Sequence, residues 1–156
     1  MAALELEFNR SDYDDALTRI GKLEPLHRNN YAIQRYKAEA LLKMEKNQEA
    51  ERVLTDLTKQ RPTDPEVWFD LAEISGLAGN IVAVHKARAE YFVLIGVYDK
   101  AIEQLTYAKR LVGPDYRENA LLDTRLEDVK KMMEKVKQLY GNQGFSPSLS
   151  FNLMWK

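Results

Sequence analysis

Three observations predict an all-α fold, an antiparallel helical-hairpin solenoid closed by a long C-terminal capping helix. Apolar residues recur at helical spacing along most of the chain, turn residues interrupt them at short intervals, and the pattern returns every 34 residues. Ala16, Ala50 and Val84 stand 34 apart, Tyr31 and Pro65 open successive units at the same interval, and Pro62 follows Ala50 by twelve positions. A period of this length holds two helices, each covering a neighbour's apolar face.

Taken in order, Ala3, Leu4, Leu6 and Phe8 set a helix over about 2–9. It reads as the last turns of a helix cut short, so the molecule is expected to be an excised piece with an added initiator Met1. Tyr13, Ala16, Leu17, Ile20 and Leu23 set the next helix, about 13–23, ended near Pro25 and followed by the loop His27 to Asn30. Tyr31, Ile33, Tyr36, Ala38, Ala40, Leu41 and Leu42 predict a helix over about 31–44, and Ala50, Val53, Leu54 and Leu57 one over about 47–60. Between them Glu45-Lys46-Asn47 replaces a glycine turn, with Asn47 the residue suited to a left-handed conformation.

Asp64 is placed to cap a helix over about 65–78 that opens on Pro65 and carries Trp68, Leu71, Ala72 and Ile74 inward until Gly79-Asn80. Val82, Val84, Ala87, Tyr91, Val93 and Leu94 carry helical spacing over about 81–95 up to Gly96; Ala101, Ile102, Leu105, Ala108 and Leu111 do so over about 98–111 until Gly113-Pro114. Small residues at Ala72, Ala87, Ala89, Ala101 and Ala108 allow close helix approach. Asp115 and Glu118 offer a capping box for a final helix over about 115–140. Its Leu122, Leu126, Val129, Met133, Val136 and Tyr140 alternate by four and three, the seam of a helix that seals the last repeat or pairs with a second copy. Residues 141–156 change character: Gly, Ser, Asn and Pro surround Phe145, Leu149, Phe151, Leu153, Met154 and Trp155, which reads as a loose terminus or as an apolar segment for a groove.

One repeat domain over 1–140 suits 156 residues, 45% of them hydrophobic. Formal net charge is -1, which argues against nucleic acid as a partner. The charge is uneven, with 11 basic against 15 acidic residues over 1–78 and 12 against 9 over 79–156. Lys130, Lys131, Lys135 and Lys137 cluster near the end and read as a solvated helix face. The absence of cysteine excludes disulfides and thiolate metal sites without fixing a compartment. The longest apolar run, Tyr91 to Tyr98, is far short of the roughly 20 residues of a membrane span, so no membrane insertion is expected. The opening MAALELEFNR is acidic and unlike a signal peptide.

Nothing in the chain forms a catalytic motif. His27 and His85 are far apart and outside any HExxH, the serines fall in no GxSxG, and the glycines stop helices rather than cradle phosphates. His85 is expected to be a packed or surface side chain. No enzyme activity, metal or cofactor is expected of this chain.

The repeat resembles the tetratricopeptide family. With Pro65 as first position, Trp68 is fourth, Leu71 seventh, Ala72 eighth and Gly79-Asn80 at the turn. Ser75 at the eleventh position, where an aromatic is usual, and Val84 at the twentieth, where alanine is usual, depart from the pattern. Gly96 follows Gly79 by 17 residues, which suggests that the helix from about 81 to 95 is shared by two units. In that family the first helix of each unit lines a concave wall, and the matching positions are Arg35 and Glu39, then Phe69, Asp70 and Glu73, then Lys86 and Glu90 on the shared helix. The family's chaperone-tail clamps grip a terminal carboxylate with cationic residues; Asp70 and Glu73 would repel that ligand.

A narrower resemblance rests on His85 to Tyr91, Gly96, Ala101 to Leu105 and Ala108. These residues are similar to the C-terminal repeat domain of bacterial periplasmic zinc metalloproteases of the BepA type, which join an HExxH peptidase to such repeats. The resemblance implies a periplasmic, chaperone-like accessory domain that brings its peptidase to the outer-membrane β-barrel assembly machinery and to unfolded outer-membrane proteins. The peptidase motif is absent, so protease activity does not carry over. A cytoplasmic adaptor of the same repeats and a homo-oligomerising module are the alternatives; the partner in every case is a protein or peptide segment.

Overall fold

The computed structural model describes residues 2–27 and 30–140. Three readings of the sequence, the initiator Met1, the apolar tail 141–156 and the Arg28-Asn29 part of the His27–Asn30 loop, lie outside the described residues. Among the described residues eight α-helices follow one another: α1 (Ala2–Asn9), α2 (Tyr13–Leu23), α3 (Tyr31–Lys43), α4 (Asn47–Gln60), α5 (Pro65–Leu77), α6 (Ile81–Leu94), α7 (Tyr98–Val112) and α8 (Tyr116–Tyr140). Each packs antiparallel on the next, and α3 also packs on α5, so the array is an antiparallel helical-hairpin solenoid with a long closing helix.

The repeat governs burial as well as boundaries. Ile33, Val67 and Ala101, 34 apart on α3, α5 and α7, are all buried, as are Ala16, Ala50 and Val84 on α2, α4 and α6. The core runs in three clusters: Leu4, Ala16, Ile20 and Ile33 at one end, Leu41, Leu54, Leu57 and Leu71 in the middle, and Phe92, Leu105, Leu122 and Val129 at the other. Trp68 touches the second and third, and its indole N–H donates to the Pro62 carbonyl at 2.8 Å.

The turns show why the helices stop where they do. Side-chain oxygens of Asn30, Asp64, Asn80 and Asp115 accept from the Ile33, Glu66, Ala83 and Glu118 amides, which satisfies first-turn donors of α3, α5, α6 and α8. Within every hairpin one residue takes positive φ: Ser11, Glu45, Gly79 and Gly113, at 60°, 60°, 78° and 64° and each 34 after the last. Two expectations change here. The left-handed residue between α3 and α4 is Glu45, while Asn47 starts α4 and donates to the Leu77 carbonyl at 3.4 Å. The Asp115–Glu118 box is half formed, because the Glu118 carboxylate pairs with Lys86 instead of reaching back.

The shared-helix reading is also corrected. Helices α2, α4 and α6 begin at 13, 47 and 81, so α6 holds the ordinary second-helix place of its unit. Gly96 lies 34 after Pro62 and marks the turn between units. The 17-residue step from Gly79 is the distance from a turn inside a unit to the turn that follows it.

Candidate protein-binding groove

Where α3 lies against α5, side chains one and two turns apart project from both helices onto a shared surface. Arg35, Glu39, Leu42 and Lys43 come from α3, and Asp70, Glu73, Ile74 and Leu77 from α5. Glu45 and Asn47 close the end beside the hairpin turn, and the groove encloses about 550 Å³. Its floor is apolar, with Leu42 half-buried, Ile74 buried and Leu77 67% exposed.

Asp70 ties the two helices together. It is 6% exposed, accepts from the Tyr31 hydroxyl at 2.7 Å and pairs with Arg35 Nε at 3.1 Å. Burial pushes its carboxyl above the ordinary aspartate range, although the Tyr31 hydrogen bond and the Arg35 charge pull the other way. Burial, together with the bond donated to Asp70, pushes the Tyr31 hydroxyl up. The Arg61 guanidinium lies 5.5 Å from the Tyr31 ring centroid, so the side chain is held over its ring as well as at its hydroxyl.

With Arg35 committed to Asp70, the charges left facing the groove are mostly negative. Glu39 and Glu73 are exposed and have no ion-pair partner among the described residues. A ligand with a cationic group and an apolar side chain meets complementary surface there; a terminal carboxylate meets repulsion.

Of the seven residues expected on the concave wall, four share this groove: Arg35, Glu39, Asp70 and Glu73. Phe69 turns the other way and meets the Tyr91 ring edge-on at 5.7 Å, within the core of α6 to α8. Lys86 and Glu90 are corrected outright. On a second helix they face α8, where Lys86 pairs with Glu118 and Glu90 takes a two-pronged bond from Arg125 at 2.7 and 2.5 Å. In their place the 34-residue register puts Glu103 and Tyr107 of α7. Tyr107 donates to Glu103 at 3.2 Å and lies against His85, whose Nδ1 is 2.8 Å from Gln104 Oε1, so the histidine is a packed side chain.

The apolar floor was missed in the sequence. Leu42, Ile74 and Leu77 follow Glu39 and Asp70 by three, four and seven positions, and that spacing could have found them.

Residues 8–73 match the family model described as Tetratricopeptide repeat. The chain is 27% identical over 135 residues, 86% of its length, to the beta-barrel assembly-enhancing protease of Escherichia coli (strain K12). It is 32% identical over 98 residues, 63% of its length, to the putative beta-barrel assembly-enhancing protease of Vibrio cholerae. The chain spans 28% and 20% of the lengths of these two relatives. Among the described residues no group of three or more His, Cys, Asp or Glu could hold a metal ion, and no helix is long and apolar enough to cross a membrane.

Proposed function

From a tetratricopeptide array that resembles the repeats of beta-barrel assembly-enhancing proteases, we propose a non-catalytic interaction domain of a periplasmic metalloprotease. It recruits the peptidase to the outer-membrane β-barrel assembly machinery and holds segments of unfolded outer-membrane proteins. The observation that carries this reading is the open α3–α5 groove, with exposed Leu77 beside the unpaired Glu39 and Glu73, in a solenoid whose relatives are named for barrel assembly. Unfolded barrel strands alternate apolar and polar residues, which suits an apolar floor with charged rims.

A photoreactive residue placed at Leu77, with a control at Glu49 on α4, tests this against a purified unfolded outer-membrane β-barrel protein. Crosslinks from position 77 in at least about fivefold excess over position 49 are expected. Equal yields from both positions, or none from 77, sink the reading.

A further inference from the structure

Helix α8 is longer than the helix it covers. It spans 25 residues against 15 for α7, and its buried seam of Leu122, Leu126 and Val129 ends midway. Beyond Val129 the apolar series continues as Met132, Met133, Val136, Leu139 and Tyr140, with Met132 38%, Leu139 69% and Tyr140 71% exposed. At roughly 100° per residue these side chains and Val129 fall within an arc of about 120° on the helix. Lys130 and Lys137 border one side of that arc and Lys135 the other, while Glu134 lies near the opposite face. The last ten residues, about 15 Å of helix, form a basic, amphipathic end on which Met133 and Val136 are half-buried and the others exposed.

The groove between α3 and α5 has the inverse character on balance: an apolar floor of Leu42, Ile74 and Leu77 under the carboxylates of Glu39, Glu45 and Glu73, which outnumber the cation of Lys43, Arg35 being paired with Asp70. The two surfaces lie on different parts of the solenoid. Ion pairs to Lys86, Glu90 and Lys109 fix α8 against α6 and α7, so its end is held away from its own groove.

We propose that the end of α8, residues 130–140, of one copy docks in the α3–α5 groove of a second copy, its apolar stripe on Leu42, Ile74 and Leu77 and its lysines opposite Glu39 and Glu73. The inference rests on the groove being a segment-binding site, though not on the identity of any foreign partner. Because the two surfaces differ, each contact is head-to-tail: it propagates from copy to copy, or closes where copies exchange their α8 ends in a ring. Pairing two α8 ends instead would set lysines against lysines.

Sedimentation of the full 156-residue chain over a wide concentration range, at low and high salt, reads the outcome. Wild type is expected to rise in mass with concentration, and less at high salt. Lys135→Glu with Lys137→Glu, and separately Glu39→Lys with Glu73→Lys, each weaken association at least about tenfold. Mixing these two variants restores it, because every contact between them pairs opposite charges. A wild-type chain that stays monomeric throughout overturns the proposal. So does association that survives both reversals, or one that depends on residues 141–156 and ignores the charges. Loss of anionic-vesicle binding in the Lys135→Glu, Lys137→Glu variant of a monomeric chain overturns it in favour of a lipid surface. A groove that crosslinks an unfolded barrel protein from position 77 in a strictly monomeric chain refutes this inference alone and leaves the proposed function standing.

Discussion

The α3–α5 pair and the α6–α8 bundle are built on one 34-residue register, yet one is open and the other sealed. Between α3 and α5 the link is a polar knot of Tyr31, Arg35 and Asp70, and the surface beside it is a groove. In α6–α8 the interior is filled by Tyr91 and Phe92 with Phe69 of α5 packed against them, and the second helices are clamped by Lys86–Glu118 and Glu90–Arg125. Position in the repeat sets where a side chain points; its size and charge set whether a wall becomes a binding surface or a core.

The largest effects should come from the shared core. Leu54 is fully buried in the middle cluster and Leu105 is 2% exposed in the last one. Leu54→Ala and Leu105→Ala are each expected to cost about 2–5 kcal/mol in chemical denaturation. In a solenoid stabilised by nearest neighbours the damage stays local, so amide exchange should quicken over α3–α5 in the first variant and over α6–α8 in the second. Uniform quickening in both would mean that the two regions are one cooperative block and their difference only a matter of surface.

Asp70 gives an intermediate effect that belongs to the open region. Asp70→Ala leaves the Tyr31 hydroxyl and Arg35 without their acceptor and should cost about 1–3 kcal/mol; Asp70→Asn, which keeps an acceptor for Tyr31, should cost less. Its folded pKa is raised, so the protonated folded state is favoured. Its stabilising contribution is full below the ordinary aspartate range and is lost as pH rises through the raised folded value. Glu24 behaves oppositely: burial pushes its carboxyl up, but bonds from Lys37 at 2.8 Å and Gln34 at 3.0 Å hold it below the usual range. Its contribution is present above that range and lost as pH falls through the folded value. Asp70→Asn should therefore lose stability more steeply than wild type as pH drops toward 4, in denaturation midpoints taken across the acid range. A profile parallel to wild type would show that Asp70 does not titrate anomalously.

Most of this architecture was legible because a repeat makes one sequence report on itself several times. Burial at Ala16, Ala50 and Val84 follows from spacing alone, and so does the cap at Asp64. The groove was half legible. Arg35, Glu39, Asp70 and Glu73 fall together because first-helix register is periodic. Lys86 and Glu90 were misplaced because Gly79 and Gly96 look alike in sequence and both take φ of 78°, though one turns within a unit and the other between units. The orientation of Phe69 was not readable at all, since its partner Tyr91 lies on a different helix and only packing brings the rings together.

The smallest effect isolates one position that the two regions share. Glu45 and Gly79 occupy equivalent hairpin turns 34 residues apart, at φ of 60° and 78°. A side chain in that conformation costs about 1 kcal/mol, which glycine avoids. A Cβ at Gly79 would meet nothing within 4 Å, so Gly79→Ala carries no steric penalty from neighbours. Its expected loss of about 1 kcal/mol is then purely conformational. Glu45→Gly should gain somewhat less than that, because glycine also frees the unfolded chain. The two variants thus move stability in opposite directions from the same backbone geometry. If Glu45→Gly destabilises instead, the Glu45 side chain at the end of the groove supports the α3–α5 region, and the open half of the molecule is held together by its rim as well as by Asp70.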